Sequence, residues 1–444
     1  MLLIAAVVVA IGSLIWLTIK IKLHPFFALV LASFIFSLVA GLDFQVTLAA
    51  FTDGFGGTAA SIGVVIALGT VIGALLEGSG ASESMARTIL KITGEKRASL
   101  GLAITGYFVS IPVFADSAFV LLSSLAKRLS RDTKTSMTTM AISLAMGLHA
   151  THILVPPTPG PLGAAGILQA DLGLVIIIGA LVAVPVMLVG WLAAVYFGRK
   201  YVYFPSEVIE FSDATRIPSA FQSFMPIVLP ILLMLLGTVA GLASAPFGSG
   251  PVAKALIILG TPVLALLLAL ALALRTYLLM HPGDHKVWTF DGDFGQALRT
   301  AGQIVLIVGA GGAFGAILKA SPLKEMLVAH LVGLNIGLLA PFIIGAIFRS
   351  VIGSATVAMV TTASMMSAVI EPLGFGSPLG LVLVTLAACS GSSMIFHGND
   401  DFFWVISSSA EMRPEVIYKI LPVASIAQGL TGLTCTYLVY FIFM

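Results

Sequence analysis

The segment GLHATHILVPPTPGP, from Gly147 to Pro161, continues an apolar run that begins near residue 137. Four of its last six residues are proline, which lacks a backbone donor and clashes with the preceding helical turn. The helix must therefore break inside a run long enough to cross a membrane. Non-helical backbone at membrane depth is tolerated only inside protein or against a water-filled cavity. The segment predicts a membrane protein whose interrupted helix lines a polar site.

The composition of the whole chain agrees with this prediction. Of 444 residues, 59% are hydrophobic and 9% are charged, whereas a soluble domain has about 25% charged residues. The net charge is +2 without a basic block, so no nucleic-acid partner is expected. Cys389 and Cys435 lie far apart in apolar sequence without a Cys/His cluster. The sequence therefore indicates no metal site and no cofactor.

Apolar runs of about 20 residues predict transmembrane helices in a lipid bilayer. These runs are 2–19, 24–42, 59–77, 137–155, 172–197, 222–243, 252–275, 300–318, 378–396 and 415–443. Two further stretches, 98–127 and 338–371, are broken at their centres by proline or glycine with polar residues. Each half is too short to cross, so both stretches are predicted to be re-entrant hairpins.

The positions of lysine and arginine predict the orientation. Lys20 and Lys22 follow the first run, while the connections 43–58, 156–171 and 244–251 contain neither residue type. The positive-inside rule then places both termini on the outer side of the membrane. Because the charges follow the first run rather than precede it, this run is expected to be a retained helix and not a signal peptide.

An internal repeat relates the two halves of the chain. A shift of 242 residues superposes Gly69, Gly73, Ala74, Leu76 and Ser79 on Gly311, Gly315, Ala316, Leu318 and Ser321. Each half, 1–215 and 216–444, then has five transmembrane helices and one hairpin, and an odd number of crossings inverts the second copy. The broken helices are predicted at 137–161 and 378–404. Inverted repeats with interrupted helices are typical of secondary transporters, which bind substrate near the midplane.

The first half places ionisable groups at these breaks. The centre of the first hairpin contains Ser110, Asp116 and Ser117. An acid at membrane depth is energetically costly, so Asp116 is predicted to bind substrate or a proton. The alternative is a helix cap. His149 and His152 are candidate proton carriers because histidine titrates near neutral pH, and structural roles are the alternative.

The second half offers groups suited to an anion. Gly353 allows close backbone approach, and Ser354 and Thr356 lie where a helix N-terminus attracts an anion. Arg349 is a candidate carboxylate clamp, or an interfacial arginine that reaches toward water. Asn399 and Asp400 are candidates for hydroxyl binding, and Asp400 also for proton coupling or for capping the next helix.

An intramembrane hydrolase is the alternative from another class of protein. Ser110, Ser354 and the two histidines supply the parts of a nucleophilic site. The chain has no Gly-x-Ser-x-Gly elbow and no His-Glu-x-x-His helix, so the sequence favours a transporter over an enzyme.

Several motifs resemble those of the gluconate permease family, within the ion transporter superfamily. They are His152-x-x-Val155-Pro156-Pro157-x-Pro159-Gly160-Pro161, Gly353-Ser354-Ala355-Thr356, His397-x-Asn399-Asp400 and Ile111-Pro112-Val113-Phe114-x-Asp116. The resemblance implies proton-coupled uptake of gluconate or a related hydroxy-carboxylate across a bacterial inner membrane by a homodimeric elevator. The outer side, with both termini, would then be the periplasm. The chain has Thr158 where the family usually has histidine, which keeps shorter hydroxy acids and D-serine as alternatives.

Two sets of candidate residues follow. The substrate-binding set is Ser110, Asp116, Ser117, Thr158, Arg349, Gly353, Ser354, Thr356, Asn399 and Asp400. The proton-coupling set is Asp116, His149, His152 and Asp400.

Overall fold

The computed structural model is helical throughout the residues it describes, which are 2–205, 217–241, 247–248, 250–322, 337–398 and 400–444. The first half contains α1 Leu2–Ile19, α2 Pro25–Ala40, α3 Phe44–Gly78, α4 Ala81–Thr93, α5 Ala98–Val109, α6 Ala115–Thr133, α7 Met137–Leu154, α8 Pro159–Leu168 and α9 Leu172–Lys200. The second half contains α10 Ala220–Ala240, α11 Pro251–Leu259, α12 Pro262–Met280, α13 Asp293–Ala320, α14 Leu339–Ile352, α15 Ala355–Ser367, α16 Pro378–Gly391, α17 Asp401–Ser409 and α18 Pro414–Phe443.

Seven of the described segments are long and apolar enough to cross a membrane. They are Phe44–Gly78, Met137–Leu168, Leu172–Lys200, Ala220–Ala240, Pro262–Met280, Lys286–Ala320 and Pro414–Phe443. The protein is therefore a multi-pass membrane protein. The other three predicted spans correspond to shorter apolar helices, in α1, α2 and α16.

The predicted span 59–77 is too short. Helix α3 begins at Phe44, where the Asp43 carboxylate accepts from the amides of Gln45 and Val46, so most of the predicted connection 43–58 is helical. A Cβ atom at Gly54 would lie 2.6 Å from the Cβ of Ala316. The glycines of α3 therefore allow close packing on α13, and this packing outweighs glycine's helix penalty of about 1 kcal/mol.

The predicted single span 252–275 is also wrong. Helix α11 ends at Leu259 and α12 begins at Pro262. Proline at the first helical position cannot continue the preceding helix, and it disfavours helical backbone at Thr261.

The order and bounds of the helices repeat along the chain. Adding 242 to the bounds of α9, 172–200, gives 414–442, and α18 is Pro414–Phe443. The same addition takes α5 to 340–351, against Leu339–Ile352 for α14, and takes α8 to 401–410, against Asp401–Ser409 for α17. The counterpart of α4 falls at 323–335, outside the described residues.

Two of these repeat-related pairs pack against each other in antiparallel fashion. Along α3 and α13, Gly54 contacts Ala316, whereas Gly63, further along α3, faces Val305, which lies earlier on α13. Gly63 and Val305 are themselves 242 residues apart. Val186 of α9 and Gln428 of α18 are also 242 residues apart, and the Gln428 side chain donates a hydrogen bond to the Val186 carbonyl at 3.2 Å.

Breaks between helices converge near the centre of the molecule. Helix α5 is joined to α6 through residues 110–114, α7 to α8 through 155–158, α14 to α15 through 353–354, and α16 to α17 through 392–400. Helix α8 packs against α15 and α16, and α6 packs against α17. The connection between the halves contains Glu207, Glu210 and Asp213, and these residues lie outside the described part of the chain.

Candidate functional site

A cavity of about 300 Å³ lies among the broken helices. Ligand sites for small molecules have volumes of roughly 300–1,000 Å³. Seven predicted site residues line it, namely Asp116, His149, His152, Arg349, Ser354, Thr356 and Asp400. The structure thus brings groups from both halves of the chain into one polar cavity.

Arg349 is the most buried cation of the cavity wall. Its side chain is 2% exposed and forms an ion pair with Asp400, and it also donates to the Gly353 carbonyl. The guanidinium carbon lies 5.2 Å from the centre of the Phe396 ring. The alternative of an interfacial arginine reaching toward water is therefore wrong. Arg349 holds the tip of the α14–α15 hairpin against the start of α17.

Asp400 caps the next helix, which is one of the roles considered for it, and it also forms an ion pair that was not predicted. One carboxylate oxygen pairs with Arg349, and the other accepts from the Phe402 amide at 2.7 Å. Asp400 is the N-cap residue of α17, so the cap fixes the carboxylate next to the guanidinium. The Asp400 carboxylate in the cavity wall is therefore already paired with Arg349.

The α14–α15 tip presents a helix N-terminus to the cavity. Gly353 has a positive φ of 86°, a conformation that favours glycine. Ser354 follows as the N-cap of α15, with its hydroxyl accepting from the Val357 amide at 3.4 Å. The hydroxyl hydrogen of Ser354, the Thr356 hydroxyl and the dipole of α15 remain suited to a carboxylate.

Asp116 occupies a different environment from the one expected. It is exposed rather than buried, and it lies in the first turn of α6, whose N-cap residue is Phe114. The expectation that burial would favour protonation of Asp116 is therefore wrong. Asp116 is also not the N-cap residue of α6. Its carboxylate contributes negative charge at the cavity wall.

The His149 ring is held by two contacts. Its ring stacks on Phe396 with centroids 5.3 Å apart, and its Nδ1 lies 3.0 Å from Oε1 of Gln428. Its Nε2 and the Nδ1 of His152 have no hydrogen-bond partner among the described residues. Sequence reasoning missed Gln428, although a single amide in the apolar run 415–443 was a usable signal.

Four predicted substrate-binding residues do not line the cavity, namely Ser110, Ser117, Thr158 and Gly353. The Ser110 hydroxyl donates to the Val113 carbonyl within its own turn, and the Thr158 hydroxyl donates to the Val155 carbonyl at 2.6 Å. Ser117 follows Asp116 on α6, so its side chain leaves the helix about 100° around the axis. Asn399 and the side chain of Asp401 lie outside the described residues. Gly353 contributes its carbonyl to Arg349.

Histidine, cysteine and carboxylate side chains do not form a metal site in the described part of the chain, where no three of them come together. Arg349 and the α15 N-terminus instead suit an organic anion.

Comparison with known families decides what kind of protein carries this cavity. The profile of the GntP family permeases matches residues 1–442. The chain belongs to this permease family. The resemblance to gluconate permeases is confirmed. The protein is a transporter and not an enzyme, so the hydrolase alternative is wrong.

Relatives of several kinds share this family. The chain is 36% identical to an uncharacterized permease of Haemophilus influenzae, covering 97% of this chain and 91% of that protein. It is 34% identical to a gluconate permease of Pseudomonas aeruginosa, covering 94% and 93%. It is 30% identical to the D-serine transporter DsdX of Escherichia coli, covering 99% and 98%.

The fold is that of a solved transporter. The structure resembles the YdaH transporter of Alcanivorax borkumensis with a TM-score of 0.65, at 17% identity, covering 95% of this chain and 99% of that one.

Proposed function

We propose that this permease imports gluconate or a related hydroxy-carboxylate across a bacterial inner membrane together with protons. The observation that carries the proposal is the Arg349–Asp400 ion pair in the wall of the central cavity. Gluconate permeases among the relatives support the substrate class.

The ion pair offers a physical route to coupling. While Asp400 is ionised, it occupies the guanidinium, and a substrate carboxylate must compete with it. A proton on Asp400 removes that competitor and lets Arg349 clamp the substrate in a charge-assisted fork. Either event alone would leave a charge uncompensated inside the protein, which costs several kcal/mol. Proton and anion therefore bind together.

The other ionisable groups near the pair are Asp116 from α6, His149 and His152 from α7, and His397 beside α17. The His397 Nε2 lies 3.2 Å from the Ser350 carbonyl oxygen. We assign the coupled proton to Asp400 because its carboxylate directly contacts Arg349. Asp116 and the histidines remain candidates for passing protons to and from the cavity.

The remaining wall suits the rest of the substrate. Ser354, Thr356 and the α15 N-terminus share the substrate carboxylate with Arg349. Hydroxyl groups of the substrate would meet His149, and Asn399 stays a sequence-based candidate for hydroxyl binding.

D-serine is the second candidate substrate, and two observations favour it. Relatives named D-serine transporters align over nearly the whole chain, and the exposed Asp116 carboxylate can pair with an ammonium group. A thermal-shift panel of the purified protein separates the two, since a ligand of the native state raises its stability. Gluconate should stabilise the protein more than D-serine. Stabilisation by D-serine alone, lost in Asp116→Asn, would reject gluconate as the substrate.

We further propose that the halves 1–215 and 216–444 are inverted repeats. The repeated helix bounds and the antiparallel packing of α3 on α13 and of α9 on α18 support this, because an inverted copy runs opposite to its counterpart. Both termini are then periplasmic, and the protein forms a homodimer. The mass of the detergent-solubilised protein tests the dimer.

Cysteine labelling tests the orientation. Phe247 and Asp132 are both exposed. Phe247 lies in the predicted connection 244–251 and Asp132 in the last turn of α6, and the lysine and arginine pattern places these two segments on opposite sides. Phe247→Cys should react with an impermeant maleimide in intact cells, and Asp132→Cys only after permeabilisation. Ser130, two residues before Asp132 on α6, is buried and is unsuitable. Labelling of both cysteines from one side would reject the inverted topology.

An elevator movement is expected to carry the hairpins and broken helices past α3 and α13. A Cβ atom at Gly166 of α8 would lie 2.7 Å from the Ile62 side chain of α3. Exchanging both residues for cysteine removes the obstructing side chain and places two thiols close together. Oxidation of this double variant should reduce uptake to a small fraction, and reductant should restore it. Equal uptake by a demonstrably crosslinked sample would show that α8 does not move relative to α3.

A further inference from the structure

The side chain of Gln428 connects three helices at the centre of the protein. It is fully buried on α18. Its Nε2 donates to the Met146 carbonyl of α7 at 2.9 Å and to the Val186 carbonyl of α9 at 3.2 Å. Its Oε1 lies 3.0 Å from Nδ1 of His149. Every polar atom of the amide is therefore used inside the protein.

These contacts fix the orientation of the amide. Two carbonyl oxygens face the nitrogen end, and carbonyl oxygens only accept hydrogen bonds. Rotating the amide by 180° would place its oxygen against both carbonyls, which is unfavourable. Oε1 consequently faces His149, and because Oε1 is only an acceptor, Nδ1 of neutral His149 must carry the proton.

The other nitrogen of His149 is left as an acceptor. His149 lines the cavity, and its Nε2 has no hydrogen-bond partner among the described residues. The stack on Phe396, with an interplanar angle of 13°, holds the ring plane. A buried acceptor without a partner is unfavourable, so a bound ligand that donates a hydrogen bond to Nε2 satisfies it.

We propose that Gln428 is a positioning residue that keeps the His149 proton on Nδ1, so that Nε2 accepts a hydroxyl of the substrate. The inference rests on the proposed function for the identity of the ligand, but the assignment of the proton does not. It makes His149 a determinant of hydroxyl recognition, and Gln428 acts only through His149.

Nuclear magnetic resonance of histidine-labelled protein tests the tautomer without a ligand. The signals of His149 are identified by their absence in His149→Phe, which keeps an aromatic ring against Phe396. Neutral His149 should be protonated on Nδ1 in the unsubstituted protein and should shift to Nε2, or to a mixture, in Gln428→Leu. Gln428→Met, closer in length to glutamine, serves if the leucine variant does not fold. Protonation on Nε2 in the unsubstituted protein, or an unchanged tautomer in the variant, would overturn the proposal.

Binding of gluconate and its monodeoxy analogues, measured by calorimetry, tests the consequence. One analogue, lacking the hydroxyl that meets His149, should bind the unsubstituted protein about tenfold more weakly than gluconate. This preference should disappear in Gln428→Leu and in His149→Phe. A merely structural role would weaken all ligands alike and leave the preference unchanged. If no acid binds the folded, unsubstituted protein, the substrate assignment fails, while the tautomer measurement still decides the role of Gln428.

Discussion

Asp400→Asn is expected to abolish accumulation driven by a pH gradient while leaving substrate counterflow intact. Asparagine keeps the shape of the side chain and a carbonyl oxygen for the Phe402 amide, but it neither takes up a proton nor neutralises Arg349. The free guanidinium should then bind the acid at any pH. In proteoliposomes, uptake should become independent of the pH gradient, and the affinity for the acid should exceed that of the unsubstituted protein above neutral pH.

Glu411→Gln is a matched control for this variant. Glu411 also forms an ion pair, with Lys127 at 2.5 Å, and it lies just beyond the other end of α17. It does not line the cavity, so its removal should leave coupling unchanged. Uphill accumulation by Asp400→Asn at the unsubstituted rate would show that the coupled proton binds elsewhere, and Asp116→Asn is then the next variant to measure.

Arg349→Gln is expected to lose acid binding almost completely, by a factor of about 100 or more. The substitution removes the charge-assisted clamp, and breaking a buried ion pair from one side costs about 3–5 kcal/mol. Calorimetry measures the loss of acid binding, and thermal unfolding measures the loss of stability. Arg349→Lys should keep part of the affinity, because it retains the charge but not the planar fork. Thr356→Ala should cost only about 1–3 kcal/mol, the value of one hydrogen bond to a charged group.

The double variant Arg349→Gln with Asp400→Asn separates stability from binding. Removing both charges should recover most of the thermal stability lost in Arg349→Gln, because no unpaired charge stays buried. Acid binding should not recover. If both properties recover together, Arg349 serves to fold the hairpin tip rather than to bind substrate.

The sequence was informative wherever the signal is local. Four prolines after Val155 mark the break between α7 and α8, and Gly353 marks the tip between α14 and α15. Ionisable residues within apolar runs also stand out, and with the two hydroxyl residues after Gly353 they make up the seven predicted residues that line the cavity. In any membrane-spanning fold a proline cluster interrupts a helix and an acid at membrane depth is energetically costly. Both signals can therefore be recognised without knowledge of the tertiary structure.

Features that depend on tertiary packing were not predictable in this way. Arg349 and Asp400 are 51 residues apart, and nothing in their local sequence indicates that they pair. The glycines of α3 suggest a loop on propensity alone, yet they form a helix because α13 packs against their bare backbone. Gln428 has meaning only beside His149, Met146 and Val186, which come from two other helices.

Proton uptake on substrate binding tests the central claim most directly. Purified protein in weakly buffered detergent solution is mixed with the acid at saturating concentration, at a pH where the acid is ionised, and a pH indicator records the protons removed from solution. Because each bound carboxylate replaces Asp400 on Arg349, the unsubstituted protein should take up about one proton per acid bound, and its affinity should rise as the pH falls. Asp400→Asn should bind the acid with no proton uptake. Binding of the acid to the unsubstituted protein without proton uptake would contradict the account.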